Sequence, residues 1–140
     1  MKYFDHEKLD VYRAGIELVI LIDEVVQHFP RGRAYLTDQL QRAGASVPLN
    51  IAEGAGEFSN NEKGRFYRMA KRSATECAGI FDICCRLQII EEQKHAKGRE
   101  LLIRIVSMLT KMAQGTGNGS MGISSESFVN VPVCVPVPDS

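Results

Sequence analysis

The sequence has almost none of the devices by which a short chain declares a chemistry. Its four cysteines, Cys77, Cys84, Cys85 and Cys134, include no CxxC pair, and no histidine stands at ligand spacing from any of them. That excludes the common zinc arrangements. His6, His28 and His95 are far apart, and none has a serine, cysteine or carboxylate at a spacing that local geometry turns into a catalytic dyad. No apolar run approaches the roughly 18 residues that a bilayer crossing needs; Leu18 to Ile22 is cut short by Asp23 and Glu24. The stretch from Met1 to Glu7 lacks the basic start and apolar middle of a signal peptide. A cytoplasmic protein with no membrane partner, no metal and no cofactor is expected. Net charge is missing as well, since 17 Lys and Arg balance 17 Asp and Glu, and this excludes binding driven by bulk charge alone.

What is present is the composition of one globular domain: 140 residues, 44% hydrophobic and 24% charged, enough to bury a real core. Inside the apolar third helix described below, Cys77 and Cys84 read as small hydrophobes. Helical periodicity runs through residues 1–114 and predicts four helices. The first, from about Asp5 to His28, carries Val11, Gly15, Leu18, Ile22 and Val25 on one seam and Tyr12, Ile16, Val19 and Val26 on a second. One seam is enough for a monomer's core, so the second predicts contact with another helix or another subunit. Phe29-Pro30-Arg31-Gly32 then ends the helix.

The second helix, about Ala34 to Gly56, has Pro48 in its middle. A proline there lacks its N–H and presses its ring on the carbonyl four residues back, that of Gly44. A kinked continuous helix is expected, with a break at Ser46 to Pro48 as the alternative. Ser59-Asn60-Asn61-Glu62 is a capping-box sequence that starts the third helix, which repeats Phe66, Ala70, Ser73, Cys77, Ile80, Cys84 and Leu87 and ends near Gln88. The fourth starts at Glu91-Glu92, where negative charge suits the helix dipole, and ends at the Gly115-Thr116-Gly117 run. Gly15, Gly44, Gly64, Gly79 and Gly98 lie inside these helices, each costing about 0.5–1 kcal/mol relative to alanine; close helix approach would explain some of them. The fold class is therefore all-α, an antiparallel up-and-down four-helix bundle over residues 1–114, followed by a disordered Gly/Ser/Val/Pro tail over residues 115–140. In the tail, valines from Val129 to Val137 alternate with Pro132 and Pro136 among others. A segment that adds to a partner's surface is the alternative reading.

Two constellations stand out. Arg42, Ser46, Asn50 and Glu53 share one quadrant of the second helix beside its apolar face, and Ser73 and Glu76 lie at the margin of the third helix's seam. These six are expected to form a buried structural network with Arg42 paired to Glu53 or Glu76, because an unpaired charge in a core costs several kcal/mol. An acid–base pair of Glu53 and Glu76 is the alternative, but no nucleophile, metal ligand or phosphate-cradling loop accompanies it. The second constellation is basic. Arg65, Arg68 and Arg72 fall on one arc of the third helix, Lys71 borders it, and Arg86 joins it further along, all opposite the apolar seam. A charge run on a helix is usually a solvated face; repeated around an oligomer, a modest patch gains avidity. Contacts through phosphates are expected, since no aromatic platform accompanies the arc.

The run from Gln39 to Gly54, QLQRAGASVPLNIAEG, closely resembles the signature of the bacterial four-helix bundle proteins known as 23S ribosomal RNA intervening-sequence proteins. Leu9, Tyr12, Phe29-Pro30, Ala70, Ser73 and Glu76 support the match, which spans about residues 4 to 113 and includes Pro48. The resemblance implies a ring-shaped homopentamer. It further implies a link to intervening sequences of large-subunit ribosomal RNA genes, and a related branch that serves diversity-generating retroelements by binding reverse transcriptase and nucleic acid. The expectation is a non-enzymatic homo-oligomeric scaffold for structured RNA or an RNA-handling protein. A protein-interaction adaptor without nucleic-acid contact is the alternative. All 17 basic residues precede the tail, while Glu126 and Asp139 lie in it. The neutral total thus conceals a slightly positive bundle.

Overall fold

A computed structural model describes residues 2–116, with only the backbone of Thr116. The expected tail lies outside the described residues from position 117 onward, and Cys134 with it. Among the described residues there are four α-helices, α1 (Asp10–Val26), α2 (Ala34–Ala55), α3 (Asn60–Arg86) and α4 (Glu92–Thr116), preceded by a 3-10 helix, Asp5–Lys8.

The first helix starts later than its periodicity suggests. The Phe4 N–H donates to Glu7 Oε1 at 2.8 Å, and the Glu7 N–H donates to the Phe4 carbonyl at 3.1 Å. The His6 ring stacks on Phe4 and meets Tyr12 edge-on, with centroids 5.6 and 4.6 Å apart. These local bonds hold residues 5–8 in a tight turn that competes with an α-helix. Leu9 then turns extended, with φ −88° and ψ 127°, before α1 begins. At the other end α1 stops at Val26, short of the expected His28.

Pro48 does not break α2, which is continuous through it. The ring has been given a place: a Cβ at Gly15 of α1 would lie 3.3 Å from the Pro48 Cβ, and one at Gly44 would collide with Cδ1 of Ile22. Two glycines, one on each helix, thus let α1 and α2 approach closely enough for proline to pack between them. Gly54 sits likewise against Tyr67 and Phe66, and Gly98 against Phe81, whereas Gly79 faces open space. Close approach therefore accounts for Gly15, Gly44 and Gly98 but not for Gly79.

The same contacts set direction. Gly15 meets Pro48 while Ile22 meets Gly44; Gly54 meets Tyr67 while Ser46 meets Ser73; Gly98 meets Phe81 while His95 meets Asp82. Leu21 reaches Gly98 and Glu24 reaches Lys94. At every seam a later residue on one helix faces an earlier one on the other, which is an antiparallel up-and-down bundle. Leu18, Ile22, Leu40, Ile51, Phe81 and Ile105 lie at its centre, fully buried.

Ser59 caps α3, its Oγ accepting from the Glu62 N–H at 3.3 Å. The Glu62 carboxylate turns to Arg65 at 3.2 Å instead of reaching back, so half of the expected capping box forms. At the other end the Ile89 N–H donates to the Cys84 carbonyl and the Gln88 N–H to the Cys85 carbonyl, both at 3.0 Å. This is a Schellman motif, and it holds Gln88 at φ 61°. Only glycine occupies that region without a Cβ penalty, so Gln88→Gly is expected to raise the unfolding free energy by about 1 kcal/mol; a chemical denaturation curve checks it. α4 continues through Gly115 to Thr116, slightly past the expected boundary at 114.

Cys77 and Cys84 lie in the core, as their seam positions predict. Burial, with the Glu76 charge adding to it, pushes the Cys77 thiol up to about 12. Burial likewise raises Cys84 to about 11, against a small opposing effect of Arg33. Thiolates are the reactive form, so neither sulfur should label with a thiol reagent at pH 8 until the protein is unfolded. Above the ordinary thiol value the unfolded chain ionises while the folded one keeps its thiols neutral. Their contribution is therefore complete below about pH 9, the ordinary thiol value, and declines as pH rises past it.

Candidate nucleic-acid interface and polar cluster

The basic residues of α3 reach their positions because the opposite side of the helix is committed to the core through Ala70, Ala74, Cys77, Ile80 and Cys84. Arg65, Arg68, Arg72 and Arg86 are exposed and Lys71 is half-buried. Arg68 and Arg86 are 18 residues apart, about five helical turns, so they point the same way. Arg65 differs from the rest: its guanidinium pairs with Glu62 and lies 5.3 Å from the Phe66 ring centroid. Arg68, Lys71 and Arg72 border a shallow depression together with Thr75 and Glu76. The depression is therefore basic with one acidic edge, and its open form suits a rod-like, charged partner better than a small molecule.

The six residues of the expected polar network separate into two groups. Ser46, Asn50 and Ser73 meet: Ser73 Oγ donates to Ser46 Oγ at 2.8 Å, and Asn50 Nδ2 donates to Ser46 Oγ and to the Ser46 carbonyl at 2.8 and 2.9 Å. This half-buried trio ties α2 to α3 beside Pro48. Arg42, Glu53 and Glu76 do not join it. All three are exposed, and among the described residues none takes part in an ion pair with another. The physical reason is side-chain length and angle. The quadrant beside an apolar face contains the seam margin, where short Ser and Asn side chains meet, and the outer rim, from which long charged side chains extend into water.

Glu53 and Glu76 are also too far apart to act together. Glu53 adjoins Gly54, which packs on Tyr67, whereas Glu76 lies three residues beyond Ser73, which packs on Ser46. Their levels differ by about ten residues of helix, or roughly 15 Å. Paired catalytic carboxylates stand about 5–9.5 Å apart.

One pairing was not visible in the local sequence. His95 Nε2 lies 3.2 Å from Asp82 Oδ1, with the histidine buried and the aspartate half-buried. They come from facing turns of α4 and α3, at one end of a cleft of about 450 Å3 whose apolar lining includes Phe81, Leu102, Ile103 and Val106. Only the antiparallel register brings them together, and no local spacing signals it. At the surface, Lys94 donates to Glu24 at 2.9 Å and, by that bond and its charge, holds the Glu24 carboxyl below its usual range.

Among the described residues no group of His, Cys, Asp and Glu is arranged to hold a metal ion, and no helix is long and apolar enough to cross a membrane. No curated protein matches the chain. Residues 7–111, most of its length, match the family described as 23S rRNA-intervening sequence protein, and the chain belongs to that family.

Proposed function

We propose that this protein is a non-enzymatic, cytoplasmic, homo-oligomeric helical scaffold that binds structured, ribosomal RNA-related RNA through the outer arc of α3. The observation that carries the reading is the run of exposed cations at Arg68, Arg72 and Arg86, bordered by Lys71, on a helix whose other side is locked into the core. The family description ties such chains to 23S rRNA. A five-membered ring, the assembly implied by the resemblance of the Gln39 to Gly54 run, would repeat the arc and multiply its weak phosphate contacts.

Phosphate-driven binding releases counterions, so affinity falls steeply with salt. Fluorescence anisotropy of a labelled ribosomal RNA hairpin, titrated with protein at several salt concentrations, tests this. A loss of at least about tenfold between 50 and 200 mM salt is expected; a salt-independent affinity, or no binding at low salt, would overturn the reading. The α3–α4 cleft favours a second reading, an adaptor that receives an apolar segment of a protein partner beside Ile103. In that case an Ile103→Asp variant would lose a co-purifying protein while RNA binding played no part.

A further inference from the structure

We propose that the cleft between α3 and α4 is the seat of the chain's own valine-proline segment, residues 129–137, and that a disulfide between Cys85 and Cys134 clamps the segment there.

The cysteines supply the first observation. Cys85 is disulfide-bonded, whereas Cys77 and Cys84 are free thiols buried in the core. The chain has four cysteines, so the one that remains for Cys85 is Cys134. Position explains why Cys85, of the adjacent pair, is the one to bond. Cys84 continues the buried seam, while Cys85 is turned about 100° from it and is half-buried. Thr75, Ala78 and Asp82 line the cleft, and Cys85 follows them in steps of three and four, which keeps to one face of a helix. It therefore stands one turn beyond Asp82, at the end of the cleft marked by the pair of Asp82 and His95.

The cleft supplies the second observation. Phe81, Leu102, Ile103 and Val106 give it apolar walls, and Ile103 is 52% exposed. Residues 129–137 suit such walls: five valines alternate with Asn130, Pro132, Cys134 and Pro136. The valines offer branched apolar side chains, and the prolines bring no N–H that an apolar wall would leave unpaired. Proline also holds a chain extended before it binds, which lowers the cost of ordering it. Charge agrees, because Arg99 stands in the cleft wall while residues 117–140 carry Glu126 and Asp139 and no cation.

Length supplies the third. Asp82 faces His95 and Phe81 faces Gly98, so Cys85 is level with about residue 93, roughly 35 Å along α4 from Thr116. The 18 residues from 117 to 134 reach up to about 60 Å, enough to return along the bundle with slack. Within the cleft the match is closer. Thr75 and Cys85 are ten residues apart on α3, about 15 Å, and residues 129–134 in a polyproline conformation take five steps of about 3.1 Å, again about 15 Å. With Cys134 fixed at Cys85, Val129, Val131 and Val133 fall along the cleft.

The bond forms by two exchanges. A small disulfide oxidant such as oxidised glutathione first makes a mixed disulfide with one cysteine and releases one thiol. The other cysteine, as thiolate, then attacks that protein sulfur, closes the bond and releases the second thiol. Two protein thiols lose two electrons, and the oxidant gains them as two thiols that also take up the two protons. Reduced glutathione reverses both steps. The segment is thus locked in under oxidising conditions and held by side-chain contacts alone in a reducing cytoplasm. A protein partner entering beside Ile103 would first have to displace it.

The full chain, equilibrated in glutathione redox buffers and quenched with N-ethylmaleimide, tests both the bond and the docking. Trypsin should release residues 73–86 joined to residues 112–140, and Cys85→Ser should abolish that product. The buffer at which half the protein is linked gives the effective concentration of Cys134 at Cys85. A flexible tether alone gives a value in the millimolar range; docking should raise it at least about tenfold. Val131→Asp with Val133→Asp, outside the bundle and unable to unfold it, should return it to the tether value, and Ile103→Asp should do the same from the cleft side. Absence of the joined product, a linkage between two copies in its place, or a midpoint that either variant leaves unchanged overturns the proposal.

Discussion

Reversing the charge at Arg68 and Arg72 together, as Arg68→Glu with Arg72→Glu, is expected to weaken binding of a structured RNA by about a hundredfold at physiological salt. Both side chains are exposed on the depression that also contains Lys71. Every phosphate deprived of its cation takes close to one off the slope of log affinity against log salt, and reversal adds repulsion where attraction stood. The slope should therefore flatten by about two for every subunit whose arc touches the RNA. Arg65→Glu is the informative comparison. Arg65 is already committed to Glu62 at 3.2 Å, so its reversal should also disturb the first turn of α3. The double variant should keep its oligomer mass and melting temperature. RNA affinity that remains within a few-fold of wild type would show that the arc is only a solvated face.

Phe81→Ala is expected to lower the unfolding free energy by about 3–5 kcal/mol. Phe81 is among the largest fully buried side chains. Its ring edge lies against Gly98, where even an added Cβ would come within 3.2 Å, and α4 can approach α3 that closely only because position 98 is glycine. Removing the ring leaves a hole that the two helix backbones, held close by through His95 and Asp82, cannot close. The hole would also open into the neighbouring cleft, so water rather than side-chain relaxation would fill it. Urea unfolding should show a lower midpoint at an unchanged slope. A loss below about 1 kcal/mol would mean that the α3–α4 seam repacks freely.

The helices were legible because their burial pattern is periodic and their stops are chemical. The seam of α3, the serine cap at Ser59 and the passage of α2 through Pro48 could all be read from residue types and spacing. The aromatic contacts of His6 with Phe4 and Tyr12, which delay α1, could not, because periodicity does not distinguish a tight turn from a first helical turn. Arg42, Glu53 and Glu76 marked the limit at the site. A helical wheel resolves position to about one residue, or 100°, so it does not separate the margin of a seam from the rim outside it. Ser46 and Glu53 fall in the same quadrant, yet one meets Ser73 and the other meets water. The meeting of His95 with Asp82 depends on how two helices slide past each other, a quantity that no local pattern carries.

The antiparallel neighbours α1 and α4 have a topological consequence. Leu21 reaches Gly98 and Glu24 reaches Lys94; carried down the helices, the same register sets the start of α1 at Asp10 level with Leu109 in the last turns of α4. The bundle is thus nearly a closed circuit of chain, in which the point of opening is arbitrary. Joining residue 10 to residue 115 through a glycine linker and cutting between Gly56 and Ser59 should give a circular permutant with the same core. The extensive α2–α3 seam would then join the two ends of the chain in place of the smaller α1–α4 seam, so the permutant should keep the fold but reach it more slowly.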